Sequence, residues 1–179
     1  MGRFQIRKTW AIHFFVLAFI LSFTPLGWAK EMKIGYVDVA KVFDSYQKTK
    51  DNETKLQTAG KKKEEERDAL VHEVRRLKDE QALLAEDARE KKQEAIDVKV
   101  KELADFDAAA RKDLGEQRNT MVREIFKDID DLVQTYGEKK GFDMVFNDRV
   151  LLYRSTRLEV TNDILNELNR NYQANKGKK

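Results

Sequence analysis

His72 is the first residue to weigh for chemistry, because an imidazole serves as metal ligand or as general acid and base near neutral pH. It stands among Glu73, Arg75 and Arg76 on a charged stretch. With no second histidine at ligand spacing, it reads as a solvated surface group. The chain has no cysteine, no glycine-rich phosphate loop, and few serines beyond Ser45 and Ser155. Neither zinc nor nucleophilic chemistry therefore has a constellation to act through. Carboxylates abound, yet lysines and arginines are interleaved with them throughout, the pattern of paired charges on helix surfaces. Asn52-Glu53-Thr54 matches a glycosylation acceptor and reads as a chance match. The expectation is a protein that is not an enzyme, with no catalytic residues, metal or cofactor.

The elements that would position any site begin with a segment expected to be lost. Arg3, Arg7 and Lys8 precede an apolar run from Trp10 to Phe23, and Gly27-Trp28-Ala29 offers small residues around a cleavage point. That run of about 14 residues is shorter than the roughly 18 to 20 that a spanning helix needs. Residues 1–29 thus read as a secretory signal, with a mature chain from Lys30. Of 35 basic and 32 acidic residues, the signal takes three basic and no acidic ones. The remainder is formally neutral and carries no strong nucleic-acid footprint. The absence of cysteine fits an oxidising compartment entered without disulfides.

Both tryptophans leave with the signal, and no proline follows Pro25. Lys33 to Val39 alternates loosely and reads as a short strand; Ala40 to Tyr46 then takes helical spacing. From Gln47 to Tyr136 apolar residues recur at intervals of three and four. Leu70, Val74, Leu77, Leu84 and Ala88 form one seam, with Gln81 at its missing position. Ile96, Val100, Leu103, Ala110 and Leu114 form a second, with Asp107 in its gap. An unbroken helix of about 90 residues would run about 135 Å and leave its seam bare, so a reversal is expected near Leu84-Ala85-Glu86-Asp87. Glu86 and Asp87 suit the positive end of a new helix. Gly60, Gly115, Lys63, Arg67 and Asp107 weaken the middle of the resulting hairpin, and the two glycines are hinge candidates. Lys61-Lys62-Lys63 followed by Glu64-Glu65-Glu66 reads as a self-compensated solvated face.

Beyond the helix-end glycines Gly137 and Gly141, Phe142 to Phe146 reads as a strand, Asn147-Asp148-Arg149 as a turn, and Val150 to Tyr153 as a returning strand. Thr161 reads as the N-cap of a last helix reaching about Tyr172. The expected fold is α+β. A small β body is built from residues 30–46 and 137–173, a helical hairpin arm spans 47–136, and a disordered basic tail occupies 174–179. So small a body is marginal alone, and oligomerisation is the expected remedy.

The order of Lys33-Ile34-Gly35-Tyr36-Val37-Asp38, Val42-Phe43, Leu83 to Lys92, Gly141 to Phe146, Val150 to Tyr153 and Leu158-Glu159-Val160-Thr161 resembles the Skp/OmpH family of periplasmic chaperones for outer-membrane proteins. The resemblance implies a homotrimer whose strands join in a central barrel-like β body, with three arms around a cavity that holds unfolded outer-membrane proteins without ATP. It assigns Ile34, Tyr36, Val39, Phe43, Val145, Phe146, Leu151 and Tyr153 to the body and its subunit contacts. Off-seam Leu83, Val98 and Phe106 are candidates for facing the client. The family's well-known member is distinctly basic and this mature chain is not, so lipid or lipopolysaccharide binding is not carried over. A coiled-coil envelope scaffold or tether binding a folded partner would account for the signal, seams and charge equally. The β segments bracketing the hairpin favour the chaperone.

Overall fold

A computed structural model describes residues 31–177; the expected signal, Lys30, Lys178 and Lys179 lie outside that range. Strand β1 (Ile34–Val37) leads into α1 (Val39–Ser45), α2 (Gln47–Ala82) and α3 (Glu86–Lys140). Strand β2 (Met144–Asn147), two short 3-10 turns and α4 (Thr161–Lys176) complete the chain. Asp38 stops β1 and starts α1 by accepting the Lys41 N–H at 2.8 Å, a side-chain N-cap.

The two strands pair in parallel, Ile34 opposite Met144 and Tyr36 opposite Phe146. Parallel pairing requires a long crossover, and the whole helical arm supplies it. Lys33 and Asp143 fix the register: the Asp143 N–H donates to the Lys33 carbonyl at 2.8 Å, and the Asp143 carboxylate accepts the Lys33 N–H at 2.8 Å. Gly35 is required here, since a Cβ would lie 2.9 Å from the Phe142 ring.

Under this sheet, one core joins both chain ends: Val37, Val42 and Tyr46 from the first, Ile125, Ile129, Leu132 and Tyr136 from α3, and Val160, Ile164 and Leu168 from the last. Val42, Ile125 and Ile164 are wholly buried. Helix α3 ends where Gly141 adopts φ 67°, a left-handed conformation that glycine alone takes without cost. The Phe142 N–H then reaches back to the Gly137 carbonyl at 2.9 Å.

The expected reversal occurs at Leu83–Ala85, with Glu86 and Asp87 in the first turn of α3. Three expectations need correction. First, Val150 to Tyr153 forms no strand and no hairpin. Asp148–Val150 is a 3-10 turn, stabilised where Asn147 Oδ1 accepts the Arg149 N–H at 3.1 Å, and β2 finds its partner in β1 instead. Second, Val160 rather than Thr161 caps α4, because the Thr161 hydroxyl is taken by the Asp38 N–H at 3.0 Å. Third, α4 runs four residues past Tyr172 to Lys176, so three residues assigned to the tail are helical.

Candidate functional site

Side chains of the arm fall into three zones. Near the tip, Val74 and Leu77 of α2 and Ile96 of α3 are all buried. Gln81 fills its seam position by donating to the Arg89 carbonyl at 3.1 Å and to Gln93 Oε1 at 2.9 Å. Glu80 lies between Arg76 and Lys92, and the hydrogen bond from Lys92 holds its carboxyl below the ordinary carboxylate range.

In the middle zone no side chain of α2 is buried between Thr49 and Val74, and none of α3 between Ile96 and Ile125. Arg67 bridges to Asp107 at 3.0 Å, and the Lys63 ammonium sits 5.5 Å from the Phe106 ring centre. At the root, Lys48 bridges to Asp128 at 2.8 Å, and Phe43 stacks on Phe126 with ring centres 5.2 Å apart.

Val100 is not a seam residue. It is 43% exposed, and the inward position passes to Lys99, which bridges across to Glu73 at 3.4 Å. A strict three-four alternation from Ile96 leads to Lys99 and Leu103, leaving Val100 a further 100° around the helix. Hydrogen bonds to Glu102 and Glu73 raise the Lys99 ammonium above its usual range.

The residues expected to face a client differ in exposure. Leu83 is 88% exposed in the turn and Val98 is 64% exposed on α3, about 18 Å from the start of that helix by helical rise. Phe106 is half-buried beneath Lys63. Leu84, Val100 and Phe126 are further exposed apolar side chains that the seam pattern did not single out as exposed.

The residues expected to build the body divide. Tyr36 is buried, with its ring 5.5 Å from the Arg154 guanidinium. Ile34, Val39, Phe43, Val145, Phe146 and Leu151 are half-buried, and Val39, Phe43 and Val145 pack on the core. Tyr153 joins none of them. It is 86% exposed, beside Leu152 at full exposure and Val150 at 69%.

Gly60 and Gly115 lie inside unbroken helices, and a Cβ on either would meet open space. His72 is exposed. Among the described residues no group of three or more histidine, cysteine or acidic side chains could hold a metal ion, and no helix is long and apolar enough to cross a membrane.

A two-helix arm growing from the crossover of a small parallel sheet defines an α+β body with a protruding helical hairpin. Residues 33–168 match the model of the OmpH-like outer membrane protein family, and the chain belongs to that family. A solved structure of an OmpH-like protein of Caulobacter crescentus CB15, described as a candidate outer membrane chaperone, shares the fold. Its TM-score is 0.67 at 13% identity, over 78% of this chain and 85% of that one. A search of curated proteins found no match.

Proposed function

We propose that this protein is a periplasmic holdase chaperone that shelters unfolded outer-membrane β-barrel proteins between helical arms, without ATP. Membership of the OmpH-like family supports a chaperone role. The observation that carries the reading is the arm itself, which offers Leu83 and Val98 to solvent within a surface of balanced charge. A holdase needs this kind of surface, with scattered apolar groups making weak contacts to many sequences and charges preventing the arm from aggregating.

Sheltering requires an enclosed space, and one hairpin cannot enclose anything. Three copies are proposed to join through the body, a view supported by the exposed Val150, Leu152 and Tyr153 beside a two-stranded sheet. Export by the signal at residues 1–29 would deliver the chain to its clients.

The test dilutes a urea-unfolded outer-membrane β-barrel into the purified protein and follows turbidity. The client is expected to stay soluble with no nucleotide present, and Leu83→Ser with Val98→Ser is expected to weaken that protection. Aggregation as fast as in buffer alone would overturn the reading in favour of a scaffold for a folded partner.

A further inference from the structure

The two helices of the arm are mounted on the body in different ways. Helix α3 runs unbroken from the tip into the core, where four of its side chains are buried among α1 and α4. Helix α2 starts only after a break at Tyr46, whose backbone is extended at φ −67° and ψ 128° and whose side chain does not cap it. Below Val74, its one buried residue is Thr49, whose hydroxyl has no hydrogen-bond partner.

Besides the Lys48 bridge to Asp128 of α3, what holds the root of α2 down comes from α4. Asn169 Oδ1 of α4 accepts the orphan N–H of Gln47 at 2.8 Å, capping α2 from outside. One turn further, Asp51 Oδ2 accepts from Lys176 Nζ at 2.6 Å and from the Tyr172 hydroxyl at 2.9 Å, while Asp51 Oδ1 accepts from Gln47 Nε2 at 2.8 Å.

We propose that the last turn of α4 is a releasable brace: Lys176 and Tyr172 grip Asp51 to hold the root of α2 against the body, and opening this clasp lets the arm change its inclination. The inference rests on the sheltering role only for its use, which would be to adjust the space between arms.

Three features make the clasp releasable. Its bonds are polar, and the Lys176 side chain is 65% exposed, so water and salt compete for it directly. A cleft of about 680 Å³ opens beside it, lined by Lys48, Asn52, Asp128, Leu168, Tyr172 and Lys176, and gives α2 room to shift. Leverage supplies the amplitude. Asp51 lies about 8 Å along the helix from Tyr46 and the tip about 54 Å, so a small change in the arm's inclination at its root becomes a displacement several times larger at the tip. Because α3 is continuous, release would leave the arm mounted on one helix and still folded.

The chain has no native cysteine, so Val98→Cys on the arm and Arg149→Cys on the body can be spin-labelled cleanly. Labelled chains are diluted into unlabelled ones, so that pulsed electron-spin measurements read distances within one chain. The clasped protein should give a narrow distribution. Lys176→Ala with Tyr172→Phe should broaden it and shift its mean at unchanged helical content, and about 1 M salt, where the screening length falls to about 3 Å, should do the same to the clasped protein. An unchanged distribution in both cases overturns the brace. Lys176→Ala alone, at an exposed site, serves if the double variant loses helix. Since no client is present, failure here is separate from failure of the turbidity test.

Discussion

Arg67 Nε donates to Asp107 Oδ1 at 3.0 Å and so joins the two limbs of the arm where no buried apolar seam does. An exposed ion pair of this kind contributes about 0–1 kcal/mol, less than one buried leucine. The middle of the arm is therefore its softest part, between a root and a tip that each have buried contacts. Replacing the pair by Arg67→Leu and Asp107→Leu should stabilise the hairpin by about 1 kcal/mol and slow amide exchange in both limbs. Faster exchange in the variant would mean that the pair itself, not missing apolar contact, sets the local stability.

The glycines about two turns rootward of that pair, one on each helix, give a second prediction. A Cβ at Gly60 or Gly115 meets no atom, so alanine should fit and should stabilise each helix by about 1 kcal/mol in chemical denaturation. If these positions act as hinges, Gly60→Ala with Gly115→Ala should also reduce the arm's ability to keep a large client soluble. Equal protection by the stabilised variant would leave them as tolerated surface glycines. Gly141→Ala should have the opposite sign, costing about 1 kcal/mol or more, because its φ of 67° strains any side chain.

Acid should open the α4 clasp only far below neutrality. Hydrogen bonds from Lys176, Gln47 and Tyr172 lower the Asp51 carboxyl from 3.8 to about 2. Its folded value lies below its unfolded one, so its contribution is complete above about 4 and disappears as pH falls toward 2. On the alkaline side, Asp51 raises the Lys176 ammonium above 10.5. That contribution is complete below 10.5 and is lost as pH rises through the higher folded value. Between pH 5 and 8 the clasp should thus respond to salt and not to pH. A clear change in the spin-label distances across this interval would contradict that assignment of charges.

Much of this architecture could be read from spacing alone, since helical periodicity reports which face is buried. The reversal at Leu83–Ala85, the seam at Leu77 and Ile96, Gln81 as a polar seam member, and Asp107 as a break in the apolar pattern all follow from it. Val100 was misplaced because valine and lysine compete for one position, and the alternation of three and four selects Lys99 whatever its polarity. The strand expected at Val150 to Tyr153 rests on composition, which records that a segment could pair and not with what. Thr161 fits an N-cap locally, but its hydroxyl serves Asp38, 123 residues away in the chain. The clasp on Asp51 was illegible for the same reason, as a lysine near a C-terminus carries no sign of its partner.

That misread strand leads to the last prediction. Val150 and Leu152 are fully or largely exposed and Tyr153 nearly so, while Leu151 between them is half-buried. Asp148, buried beside them, keeps one carboxylate oxygen without a hydrogen-bond partner and offers the other to Arg154 at 3.0 Å. Three neighbouring apolar side chains at such exposure are costly in a folded chain, and covering them against other copies would remove that cost. Leu152→Asp with Tyr153→Asp touches nothing in the core around Ile125 and Ile164, so helical content should be retained. Light scattering should nevertheless give a lower mass than the unaltered chain, with client protection reduced in parallel. A variant of unaltered mass would place the subunit contacts elsewhere and remove this segment's part in the proposed assembly.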